Sequence, residues 1–195
     1  MRPVESFAQL WPRVTGKAKR QKIHFAVVGA GAAGLELAMA AAQALDGPFY
    51  ATGGQVPGAG YSPATQRRIA SALERLRVEV LLDACVGMGS GEIRLAGVAH
   101  LACDMPLPAV EAQAPAWFAS SGQPLAPYQP QKRTLCLLSC GGRGAIAVRG
   151  GFSTEGAWVW RWENRIDHRL WRRMPPELQL HPHHRKPPKI YYAPE

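Results

Sequence analysis

The sequence predicts an α/β fold: a parallel sheet with helical crossovers, followed by a small antiparallel β segment closed by a helix. Three observations predict it. A short apolar, β-branched run, "IHFAVV" (23 to 28), ends in glycine and passes into an Ala- and Leu-rich stretch of helical length. The alternation then repeats, with "FYAT" (49 to 52), "SPATQRRIASALERLR" (62 to 77) and "VEVLLDACV" (78 to 86) reading strand, helix, strand. From residue 134 the pattern changes to short apolar runs separated by glycines.

Each element has a local reason. Residues 1 to 22 are a basic leader of weak periodicity, a loop or a short helix around "SFAQLW". "AAGLELAMAAAQAL" (32 to 45) is the first crossover helix, stopped at "DGP". The second opens with Ser62 as N-cap and Pro63 at the first helical position, and sets Ile69, Leu73 and Leu76 on one face. "EIRLAG" and "AHLACD" read as a short antiparallel pair. "MPLPAVEAQAP" carries three prolines where the next parallel strand belongs, and proline cannot donate to a ladder, so no strand is expected there. "TLCLLSC", "GAIAVRG" and "GAWVWRW" predict an antiparallel meander. "RWENRIDHRLWRRM" (161 to 174) predicts an amphipathic helix with Trp162, Ile166, Leu170 and Trp171 on its apolar side.

The chain has 195 residues, room for one ordinary domain or a small domain with an appendage, and its 47% hydrophobic content permits a core. Gly and Pro make up 37 of the 195 residues, so turns are expected to be frequent. The net charge of +9 is uneven. Residues 1 to 22 hold six Lys or Arg against one acid, residues 23 to 128 five against eight, and residues 129 to 195 twelve against five. A mildly acidic middle between basic ends does not suit a domain that wraps nucleic acid, which is not expected as a partner. Cys85, Cys103, Cys136 and Cys140 form no Cys-x-x-Cys pair, which argues against a disulfide framework, a zinc ribbon or a redox dithiol, and for reduced thiols in the cytoplasm. The leader lacks the apolar run of a secretory signal, and no stretch is apolar enough to span a membrane.

The residues that carry chemistry follow the first strand. Gly29-x-Gly31-x-x-Gly34 sits between strand and helix, the context that gives this pattern its meaning. Gly29 permits the tight turn, Gly31 lets backbone approach a pyrophosphate, and Gly34 allows the helix to lie close on the strand. With Ala30, Ala32 and Ala33, these residues would present backbone N–H groups and a helix N-terminus to phosphates, a Rossmann-like dinucleotide site. The acidic residue that usually binds ribose after the second strand is missing; the chain reads Ala51-Thr52-Gly53-Gly54, leaving the Thr52 hydroxyl beside Gly53. Nothing there selects NAD over NADP, and Arg67 and Arg68 either reach a 2′-phosphate or are solvated helix charges. Glu36 lies in the first helical turn, where it complements the dipole.

"VVGAGAAGLELA" with Glu36 resembles the NAD(P)H-binding motif of the FAD-dependent pyridine nucleotide oxidoreductases. "TGGQVPGAGYSPATQRRIASALERLRVEVLLDACV" and "GQPLAPYQPQKRTLCLLSCGGRGAIAVRGGFSTEGAWVWRWENRIDHRLWRRM" resemble the NADH dehydrogenase-like branch, found alone or fused to selenide, water dikinase. The resemblance spans roughly residues 23 to 103 and 122 to 174. It implies that Gly29, Gly31 and Gly34 cradle the NAD(P)H pyrophosphate and that Glu36 lies near the nicotinamide carboxamide.

The chain departs from that pattern on the flavin side. Only 22 residues precede Ile23, Ala109-Val110-Glu111 stands where the family has Ala-Thr-Gly, and the later Gly-Asp element is not found. The FAD site is therefore expected to be largely absent and the chain inactive alone, because the hydride has no acceptor. The expected organisation is a leader (1 to 22), an NAD(P)H-binding domain (23 to 112), a linker (113 to 133), a remnant C-terminal segment (134 to 174) and a disordered tail (175 to 195). A flavin-bearing partner chain is the expected partner. The alternative is a non-catalytic paralogue acting as a nucleotide-binding or interaction module through its basic Trp-rich helix, which also suits peripheral contact with the inner membrane surface. His181, His183 and His184 lack structured partners, so no metal site is expected. Cys136 and Cys140 are read as packing thiols.

Overall fold

The computed structural model describes residues 3–45, 49–97, 99–110 and 134–173. In chain order these form α1 (Pro3–Ala18), β1 (Phe25–Val28), α2 (Ala32–Ala44), β2 (Phe49–Thr52), α3 (Pro63–Arg75) and β3 (Val78–Leu81). There follow β4 (Cys85–Gly89), β5 (Glu92–Leu95), β6 (His100–Ala102), β7 (Met105–Pro108), β8 (Leu135–Ser139), β9 (Ala145–Arg149), β10 (Phe152–Gly156) and α4 (Ala157–Arg173). The linker and tail expected at 113 to 133 and 175 to 195, with the three tail histidines, lie outside the described residues.

The centre is a four-stranded parallel sheet in the order β3-β2-β1-β7. All of β1 is buried, and its two-residue period divides it between two cores. Phe25 and Val27 join Phe49 and Ala51 beneath Leu35 and Met39 of α2 and Ile69 and Leu73 of α3. Phe25 and Phe49 are register partners on neighbouring strands and stack with ring centroids 5.1 Å apart. Ala26 faces the other way, against Ile93 and Leu95 of the antiparallel β4-β5-β6 sheet and Cys103 just past β6.

The second antiparallel sheet, β10-β9-β8, lies on the outer side of α2 and α3. Its Leu138, Ile146 and Val148 enter the main core, while Ala145 and Ala147, on the opposite face of β9, receive Val159 of α4. Antiparallel sheet, parallel sheet, helix pair, antiparallel sheet and α4 are thus stacked in that order, an α/β architecture with a Rossmann-like centre.

Four elements differ from the sequence reading. The leader is a 16-residue helix despite Pro12, tied down by the buried Val14, by Trp11 packed on the core, and by Lys17 Nζ 3.7 Å from Asp104 Oδ1. "VEVLLDACV" is two strands, because the chain crosses between sheets at Asp83, whose carboxylate accepts the Gly97 N–H at 2.9 Å. "MPLP" is a strand after all: β7 pairs in parallel with β1 and ends the sheet among the described residues. The N–H groups of Met105 and Ala109 donate to His24 and Val28, at 3.2 and 2.8 Å, so by alternation Pro106 and Pro108 place their missing donors away from the ladder.

The fourth difference concerns "GAWVWRW". The third strand of the meander is Phe152–Gly156, and this tryptophan-rich run opens α4 four residues earlier than the expected 161. Its Trp and Val residues carry the propensity of a strand. Gly156, at φ +145, ends β10 and redirects the chain, and the helical period then turns Val159 inward. Of the apolar side, Trp162, Leu170 and Trp171 are 40%, 58% and 38% exposed, and only Ile166 is half-buried.

Candidate functional site

The turn after β1 is built so that only glycine fits at two of its positions. Gly29 adopts φ +129, and a Cβ there would collide with the carbonyl oxygen of Ala109 at the end of β7. Gly34 lies in the first turn of α2 directly against the Gly29 carbonyl, so a Cβ there would collide with backbone. These contacts press the helix onto the turn and so aim its N-terminus.

Gly31 is different. It is the N-cap of α2 at φ −75 and ψ 177, no side chain caps the helix, and a Cβ added there would meet no atom within 4 Å. The N-terminus of α2 therefore opens onto space at Gly31 and Ala32, and the helix dipole adds a partial positive charge at that point. The space is an open cleft of about 450 Å³, bounded on one side by Ala30, Gly31 and Ala32. Its volume lies within the roughly 300–1,000 Å³ of small-molecule sites.

Of the opposite wall only Gly53 was singled out in the sequence. It runs from Gly53 through Gln55, Val56 and Gly58 to Tyr61. The glycine-rich "TGGQVPGAGY" was the available signal. Gly53 packs against Ala30, whose backbone N would lie 2.7 Å from an added Cβ, and Gly58 N–H donates to the Ala30 carbonyl at 3.3 Å. Tyr61 closes the wall with its hydroxyl 3.3 Å from Cys136 Sγ. Burial, then the Cys136 contact, raises the Tyr61 hydroxyl above its ordinary value, so it stays protonated. None of the cleft-lining residues is charged; binding of an anion there rests on backbone amides and the helix dipole.

The other predicted residues are placed elsewhere. Ala33 is exposed on α2. Thr52 is fully buried, and its hydroxyl donates to the Asp83 carbonyl, so it is not available to a ligand. Glu36 lies beyond the first turn, and its Oε1 accepts the Ser139 N–H of β8 at 2.9 Å; it joins α2 to the second antiparallel sheet rather than serving the helix dipole. Arg67 is exposed, while Arg68 and Arg75 are turned toward Glu155, each 3.9 Å from one of its oxygens, and none of the three lines the glycine cleft.

The four cysteines are free. Cys136 and Cys140 pack at the edge of the main core, and burial pushes the Cys140 thiol up to about 12, which keeps it protonated and unreactive. Among the described residues no group of three or more His, Cys, Asp or Glu is placed to hold a metal, and no helix is long and apolar enough to cross a membrane.

No family model matches the sequence, and no curated protein does. Among solved structures the chain is similar to the HOCl-induced flavoprotein disulfide reductase RclA of Escherichia coli, at 18% identity and a TM-score of 0.41 over 47% of this chain and 22% of that one. It is also similar to reduced CoADR-RHD of Bacillus anthracis, at 16% identity and a TM-score of 0.42 over 50% of this chain and 18% of that one. The chain thus spans less than a quarter of the length of either structure.

Proposed function

We propose that this chain is the NAD(P)H-binding portion of a FAD-dependent NAD(P)H oxidoreductase of the NADH dehydrogenase-like type, acting with a flavin-bearing partner chain. The observation that carries the reading is the contrast within the glycine motif. Gly29 and Gly34 are filled against backbone, whereas Gly31 opens onto the cleft at an uncapped helix N-terminus. That is a cradle for a pyrophosphate, with the amides following Gly31 as donors.

In this reading the coenzyme, when bound, supplies a hydride. The chain's own residues position it. The amides of Ala32, Ala33 and Gly34 hold the phosphates, Gly29 and Gly34 fix the helix that carries those amides, and the Gly53 to Tyr61 wall shields the opposite side. Glu36, fastened by Ser139, is the residue the resemblance sets near the nicotinamide.

The test is isothermal titration of the purified chain with NADH and with NADPH, beside an absorbance scan for copurifying flavin. Micromolar binding of either coenzyme, abolished in Gly31→Trp, supports the reading, and a yellow preparation identifies the partner. A folded sample that binds neither overturns it.

A further inference from the structure

Helix α4 is held to the molecule by little. Of its 17 residues only Val159 is buried, with Trp160, Glu163 and Ile166 half-buried along the same side. Glu163 is out of place in that row. Its Oε2 atom is closed off from solvent yet has no hydrogen-bond partner, a costly state for an ionised oxygen and a milder one for a neutral acid.

The groups that face this carboxyl make ionisation harder. From α2 comes Glu36, whose Oε1 is already committed to Ser139 N–H. From α4 itself comes Asp167, and just past β8 lies the half-buried Cys140 thiol, which stays neutral and offers no charge. β9 presents Ala145 and Ala147 to the helix, with Arg149 exposed at its far end. β10 contributes Glu155, which takes up the attention of the nearby cations Arg68 and Arg75. Burial first, then the charges of Glu36 and Asp167, raise Glu163 from the ordinary carboxylate range to about 7.

We propose that Glu163 is a protonation latch: as the neutral acid it lets α4 lie against β9 and β10, and as the carboxylate it drives the helix off. The sign follows from linkage. The docked state holds the proton more tightly than the released one, so docking is strongest below the ordinary glutamate range. It weakens as pH rises toward about 7 and is flat above. Release exposes Val159 and Trp160 and uncovers Ala145 and Ala147 of β9, while the parallel sheet stays folded.

Hydrogen exchange of the full 195-residue chain, corrected for intrinsic rates, tests this between pH 4.5 and 8.5. Protection of amides 159 to 166 falls by about tenfold for each pH unit at its steepest, and levels off above pH 7, while that of amides 36 to 44 in α2 does not change. Glu163→Gln removes the pH dependence and keeps the helix protected throughout. Protection of α4 that is independent of pH in the unmodified chain overturns the proposal, as does a pH dependence that survives in Glu163→Gln. Asp167→Asn serves as a second variant should Glu163→Gln fail to fold: removing that neighbouring charge lowers the midpoint, and an unmoved midpoint overturns the latch.

Discussion

Three glycines of one motif have three different jobs, and substitution separates them. Alanine for glycine inside a helix ordinarily stabilises by roughly 0.5–1 kcal/mol. Gly34→Ala is expected to do the opposite, losing about 1–3 kcal/mol, because the new Cβ meets the Gly29 carbonyl, which no rotamer change can relieve. Gly31→Ala has open space and an extended φ, so its stability stays within about 1 kcal/mol of the parent. Its coenzyme affinity falls about tenfold or more, equivalent to roughly 1.4 kcal/mol. Chemical denaturation paired with titration reads both quantities. A Gly34→Ala chain as stable as its parent would contradict the close packing of turn and helix. At this same scale Thr52 shows where reading residues one at a time runs out. Its place at the end of β2 was legible, but that its hydroxyl is spent on Asp83, 31 positions later, follows only from the strands being brought together.

At the scale of elements, β7 makes the sharpest claim. Its two prolines are tolerated because their missing donors point off the ladder, whereas Leu107 occupies the alternate position, opposite Val27. Leu107→Pro is expected to destabilise by about 3 kcal/mol or more through the lost ladder bond and the vacated core site. Pro106→Ala and Pro108→Ala are expected to stay within roughly 1 kcal/mol of the parent, and equal losses in all three would refute the register. Elements with a local cause were legible in the sequence. Ser62 does cap α3, accepting the Thr65 N–H at 3.4 Å, and the apolar runs of β1, β2, β8 and β9 are strands. Elements decided by what they touch were not. A proline-bearing edge strand is acceptable only beside β1, and the Trp158–Trp162 run is helical only because Gly156 ends the preceding strand and β9 receives Val159. The candidate site divides in the same way. The turn from Gly29 to Gly34 was legible from spacing and Gly53 from its place after β2, while the Gln55 to Tyr61 wall and the Glu36–Ser139 link arise from contacts distant in sequence.

At the scale of the whole molecule, the stacking of layers gives each a task. The parallel sheet aims α2, the loop after β2 closes a cleft in front of it, and the second antiparallel sheet holds α2 from behind through Glu36 and Leu138. Helix α4 is an outer layer held through a single buried residue, which is why one ionisable group suffices to set its position. The uncapped N-terminus of α2 is expected to bind the pyrophosphate of a dinucleotide. The most direct measurement is an amide correlation spectrum of the isotope-labelled chain during titration with NADH. Shifts are expected to concentrate at residues 30 to 34 and 53 to 61 and to saturate together. Shifts that spare those amides, or that gather on the arginines of α3 and α4 instead, would contradict it.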